Sequence, residues 1–98
     1  MKPVRLSARA RRDTQLIATV SRGEWGEERT ARYLAALAAG LKRIGDNPAV
    51  GAVFGPEKPD LRRLRVGRHI IFYRDEAETV SVLRVLHERM EHLSRLGG

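Results

Sequence analysis

Near its C-terminus the chain reads VLRVLHERM, from Val82 to Met90. A run of Val and Leu delivers His87 to the end of an apolar stretch, with Arg89 two residues on. An imidazole in that position could move a proton, and Arg65, Arg68 or Arg89 could stabilise a phosphoryl transition state beside it. Together they could cleave RNA by activating a 2′-hydroxyl. The structural alternative is a hydrogen-bonded histidine where a strand leaves the core, and a lone strand-end histidine is more often that. No carboxylate, lysine or tyrosine is positioned by sequence logic to complete a catalytic set. His69 falls in mid-strand and His92 in the tail, and neither has helical i, i+4 spacing with another histidine, so no metal site is expected. There is no P-loop, dinucleotide fingerprint or serine-nucleophile motif, and no cofactor is implied.

The second chemical concentration is arginine. Arg62, Arg63, Arg65 and Arg68 crowd one predicted hairpin, with Arg74 and Arg84 on neighbouring strands. Side chains alternate along a strand, so Arg63 and Arg65 should point together, opposite Leu64 and Val66. Guanidinium forks suit phosphate or carboxylate, yet the polar face of a half-covered sheet would look the same. Phe72 and Tyr73 lie inside an apolar run and read as core, so exposed aromatics do not interleave the arginines. Trp25, the only tryptophan, reads as a staple between helices and sheet or as a partly exposed partner anchor.

These residues need elements to hold them. Val4 and Leu6 flank Arg5 in a short strand. Ser7 then offers an N-cap oxygen to a first helix whose Leu16, Ile17 and Val20 share a face with Ala10 and Asp13. Gly23 is the expected end of that helix. A second helix follows EWG, with Leu34, Leu37, Leu41 and Ile44 at heptad-like spacing and Gly45 at its end. The short connection implies an antiparallel αα-hairpin. Residues 46–60, rich in Pro and Gly, read as a long irregular loop tacked down by Val53 and Phe54. LRRLRV and RHIIFYR around Gly67, then TVSVLRVLH after DEAE, form a three-strand meander. The expected class is α+β: an N-terminal strand and a helical hairpin packed on one face of an antiparallel sheet. Residues 91–98 are expected to be a flexible tail.

The 98 residues make one domain, residues 1–98, with a modest core. There is no cysteine, which removes disulfides and thiolate chemistry. No apolar leader or bilayer-length run occurs, so a cytoplasmic protein is the default. The net charge of +7 favours an acidic partner, either nucleic acid or protein.

Several stretches, taken in order, are similar to one known pattern. MKPVRLSARARRD, WGEERTARYLAAL, NPAVG, LRRLRVGRHIIFYR and VLRVLHERM resemble the ParE toxins of the ParE/RelE superfamily, from about Lys2 to Leu93. The resemblance implies the RelE-like fold and the toxin half of a type II toxin–antitoxin pair. It implies inhibition of DNA gyrase, with a ParD-like antitoxin as partner in a hetero-oligomer. On that basis no catalytic residue is expected. His87, Arg89 and Met90 would contact the target. The antitoxin would cover a groove beside Leu16, Val20, Leu34 and Leu41, and would pair with Arg63, Arg65 and Arg68. Direct sequence-specific nucleic-acid binding and membrane association are not expected. The alternative is a RelE-like, ribosome-dependent mRNA endoribonuclease built on His87 with Arg65 and Arg68. The tail EHLSRLGG departs from many ParE sequences.

Overall fold

The computed structural model describes residues 1–90 of the chain, so the expected flexible tail at 91–98 lies outside the described residues. The elements are β1 (Val4–Leu6), α1 (Ala8–Trp25), α2 (Glu27–Asp46), a 3-10 turn (Pro48–Val50), β2 (Ala52–Gly55), β3 (Lys58–Val66), β4 (His69–Asp75), β5 (Val80–His87) and a second 3-10 turn (Glu88–Met90). Two helices pack on a five-stranded sheet ordered β1-β5-β4-β3-β2. The sheet is mixed: β1 runs parallel to β5, with Val4 opposite Val80, and every other pairing is antiparallel.

Local chemistry sets the helix limits. The Ser7 Oγ accepts from the Ala10 N–H at 3.0 Å, as the cap was expected to, and its hydroxyl donates to the Leu83 carbonyl at 2.9 Å. Helix α1 does not stop at Gly23. It continues to Trp25, because the turn needs a positive φ and the chain supplies that only at Gly26 (φ 83°). The Gly26 N–H closes the last turn on the Arg22 carbonyl at 3.0 Å. Helix α2 carries Glu27 and Glu28 in its first turn and Arg43 in its last, both favourable to the dipole, and passes Gly45 to reach Asp46.

The stretch 46–60 is not the irregular loop its Pro and Gly content suggests. It holds the first 3-10 turn and β2, which pairs with β3 through Ala52–Arg63 and Val53–Arg62. Buried Tyr73 organises it, donating to the Pro48 carbonyl at 2.6 Å and accepting from the Gly51 N–H at 2.9 Å. A four-residue strand set among turn residues has too little alternation to be recognised from sequence.

The main core lies between helices and sheet: Ala10 and Ile17 from α1, Leu37 and Ile44 from α2, and Ile71, Tyr73, Val80, Val82 and Val85 from the strands. Each fully buried aliphatic side chain contributes roughly 1.5–3 kcal/mol relative to exposure. A smaller cluster of Ile70, Phe72 and Leu86 sits on the other face, where Phe54 meets Phe72 edge-on at 6.0 Å. Apolar residues on both faces of β4 and β5 follow from this two-sided burial. Strand β5 also bulges: Arg84 pairs with Phe72 but Val82 with Tyr73, which leaves Leu83 as the extra residue.

Candidate functional site

Strand β1 ends at Leu6, opposite Val82, so residues 83–87 of β5 have no strand on their outer side. An open edge of that kind invites foreign pairing unless something covers it. Helix α1 covers it with Asp13. The carboxylate accepts from the Val85 backbone N–H at 2.9 Å and holds the Arg84 guanidinium in a fork, at 2.8 Å to Nε and 3.0 Å to Nη2. Both side chains are largely shielded. The bond to Asp13 raises the Arg84 pKa further, against partial desolvation.

Between α1 and this edge runs a groove of about 530 Å³. Its α1 wall includes Leu16, Ile17, Val20 and Trp25, and β5 contributes residues 84–87. Arg68, His69, Arg89 and Met90 close one end. Large apolar side chains stand in water along it: Leu16 is 62% exposed, Val20 48%, Met90 43% and Trp25 40%. Trp25 takes the partly exposed place of its two expected roles. Its ring meets Tyr33 edge-on at 6.1 Å and lies under the Arg29 guanidinium at 4.9 Å.

The expected contact residues separate here. Leu16, Val20, Arg68, His87, Arg89 and Met90 all line the groove, so the residues assigned to the target and three of the seven assigned to the antitoxin share one surface. Leu34 and Leu41 do not line it. They are half-buried against the main core, beside Leu37 and Ile44 on the inner side of α2. Heptad-like spacing identifies an apolar stripe, and here that stripe faces inward. Arg68 reaches the groove, whereas Arg63 and Arg65 point to the face opposite Leu64 and Val66, as alternation requires. The Arg63 guanidinium lies over Phe54 at 5.8 Å. Arg65 and Arg68 both grip the Glu88 carboxylate, at 2.5 and 3.0 Å, which holds its pKa below the usual carboxylate range.

His87 is half-buried at the groove's end. Its Nδ1 accepts from the Arg89 backbone N–H at 3.1 Å, so the neutral ring carries its proton on Nε2. His69 is the first residue of β4 rather than mid-strand, and it pairs directly with His87, the two rings edge-to-face at 5.3 Å. A 2.6 Å hydrogen bond ties His69 Nδ1 to the Tyr33 hydroxyl, which also accepts from the Arg68 N–H at 3.0 Å. Tyr33, Asp13, Glu88 and the partnership of the two histidines escaped the sequence reading. Gly67 (φ 58°) permits the arrangement, since a Cβ there would come 2.6 Å from the Tyr33 ring. Among the described residues, no group of three or more His, Asp or Glu converges as a metal site would require.

The family model described as "ParE toxin of type II toxin-antitoxin system, parDE" matches residues 4–92. The chain belongs to the ParE toxin family. Toxin ParE1 of Caulobacter vibrioides is 38% identical over 97 residues, covering 99% of this chain and all of that protein. Toxin ParE of Escherichia coli is 34% identical over 92 residues, covering 93% of this chain and 89% of its own. Among solved structures, the chromosomal ParDE system of P. aeruginosa aligns with TM-score 0.75 at 18% identity, over 89% of this chain and 96% of that one, and so shares the fold. The toxin–antitoxin complex RelBE2 of Mycobacterium tuberculosis aligns with TM-score 0.65 at 27% identity, over 88% and 96%. This ParE-family chain is thus a type II toxin with the α+β fold of ParE and RelE structures. No helix among its described residues is long and apolar enough to cross a membrane.

The histidine pair sets a pH dependence for this toxin. Burial, and then the proximity of His87, lowers the His69 pKa, with Glu88 partly opposing. The unfolded chain therefore takes up the proton first, below about 6.5. Stability is at its full value above that pH, falls as pH drops toward the lower folded value, and levels off beneath it. In His69→Gln this component should vanish from the pH profile of urea unfolding. A profile identical to that of the parent between pH 7 and pH 5 would contradict the assignment.

Proposed function

We propose that this toxin acts in the cytoplasm by binding and inhibiting DNA gyrase, and that a ParD-like antitoxin neutralises it by seating an apolar helix in the groove between α1 and β5. The exposed wall of Leu16, Val20, Trp25 and Met90 carries the reading. Amphipathic helices dock in grooves of this kind through anchors at helical spacing, and acidic residues beside such anchors would meet Arg68 and Arg89. His87, Arg89 and Met90 then serve as target contacts at the groove's end, and Met90 offers an adaptable apolar surface. The bond at His87 Nδ1 supports contact over catalysis: with the proton on Nε2, neither ring nitrogen offers a free lone pair to a substrate hydroxyl.

A second reading, ribosome-dependent mRNA cleavage, is favoured by one observation. His69 lies 5.3 Å from His87 with Arg68 nearby, and displacement of the Arg89 N–H would free a base. Supercoiling by purified gyrase separates the two. Inhibition is expected at modest molar excess of the folded full-length toxin, without cleavage of transcripts on translating ribosomes. Absence of inhibition at large excess would sink the gyrase reading. Transcript cleavage that disappears in His87→Ala would establish the second.

A further inference from the structure

At the other end of α1 the chain runs Arg5, Arg9, Arg11, Arg12 with no carboxylate among them. All four are exposed. None makes an ion pair or side-chain hydrogen bond among the described residues, in contrast to Arg65, Arg68, Arg74 and Arg84. The acid that follows Arg12 in the chain, Asp13, is already neutralised by Arg84, so it does not quench the arginines of α1. At 100° per residue, Arg9, Arg11 and Arg12 span the arc of α1 that its core residues Ala10, Ile17 and Ser21 leave to solvent.

The placement also works against folding. Cations in the first turns of a helix oppose its dipole, and Arg9 and Arg12 repel one another at i, i+3. Helix α2 shows the favourable pattern, with Glu27 and Glu28 at its start. A sequence that breaks a local rule at one corner while obeying it at the next marks a candidate functional surface.

We infer that Arg9, Arg11 and Arg12 form a contact surface for the phosphate backbone of duplex DNA, outside the groove and without base-specific readout. Arg5, between the inward-facing Val4 and Leu6, points to the other face of the sheet. Phosphates need only charge and forked donors, which arginine supplies. A protein partner would want an apolar anchor at the patch, and single strands would want an exposed aromatic. No exposed aromatic stands beside these arginines, since Trp25 lies at the far end of the groove, and the exposed apolar side chain one turn on from Arg12, Leu16, belongs to the groove wall.

The test is fluorescence anisotropy of the full chain with a labelled duplex of about 20 base pairs, titrated between about 50 and 200 mM salt. Binding is expected at low salt with a steep salt dependence. Arg9→Gln/Arg11→Gln/Arg12→Gln should weaken it by roughly tenfold or more and reduce the salt slope by about 2–3. The charge-matched Arg32→Gln/Lys42→Gln/Arg43→Gln on α2 should change it by less than about threefold. Thermal melting of the first variant should match or exceed the parent, which separates lost contact from lost fold. Equal losses in the two variants, no duplex binding at low salt, tighter binding to single strands, or displacement by polyglutamate at equal charge would each overturn the inference.

Discussion

Replacing Val20 with aspartate should weaken the complex with the antitoxin by at least about a hundredfold while leaving the toxin folded. Val20 is the middle of the exposed apolar wall, between Leu16 and Trp25, and half of its surface is already in water. The substitution therefore takes little from the core, and valine and aspartate have similar helix propensities. In the complex the same position would be enclosed by apolar partner side chains. An uncompensated carboxylate there costs about 2–4 kcal/mol at a central contact, and about 2.7 kcal/mol corresponds to a hundredfold in affinity. Titration calorimetry with the purified antitoxin measures the loss, and thermal melting of the free toxin provides the control. Unchanged affinity with intact folding would move the antitoxin off this groove. Leu34→Ala should behave in the opposite way, losing stability through the core with little direct effect on partner contact.

The largest effect on stability is expected from Asp13→Ala. This one carboxylate closes the fork on Arg84 and satisfies the Val85 N–H, and its side chain is only 13% exposed. Removing it strands a shielded guanidinium and leaves a strand-edge donor without its acceptor. Loss of one partner from a shielded pair costs about 3–5 kcal/mol, a large share of the total for a domain this small. The midpoint of thermal unfolding should fall by roughly 12 °C or more, at about 4–8 °C per kcal/mol. Asp13→Asn keeps an acceptor for Val85 and should fall between the two. Asp13→Ala/Arg84→Met should recover much of the loss, since the stranded charge is then gone. A change below about 1 kcal/mol in Asp13→Ala would mean that water replaces the carboxylate at no cost, and the edge would not depend on it.

The sequence reading succeeded where a local rule decides. Ser7 caps α1, the glutamates open α2, and alternation sends Arg63 and Arg65 away from Leu64 and Val66. It faltered where the answer depends on distant partners. Gly23 and Gly26 are equivalent as letters, and only the turn geometry selects the second. Leu34 and Leu16 are both apolar residues at helical spacing, yet one faces the core and the other the groove, because α1 overhangs the sheet edge. The bulge at Leu83 matters most. Without that extra residue, continuing the Tyr73–Val82 register would set His69 opposite Leu86 and send His87 to the other face. The histidine pair and half of the groove wall therefore rest on an irregularity that leaves no trace in hydrophobic pattern. Asp13 carried a weak signal, an acid on an otherwise apolar helical face, but its partner lies 71 residues away.

The parallel pairing of β1 with β5 sets a timetable for this molecule. Val4 waits for Val80, and Asp13 waits for Arg84, so neither the sheet's closing edge nor the groove can form on a growing chain until its last strand has emerged. Contacts of such long sequence separation also form late in folding, after the local helical hairpin. Until Val80–His87 has been made, the groove does not exist. The surfaces proposed for target and antitoxin come into being together, in the same step.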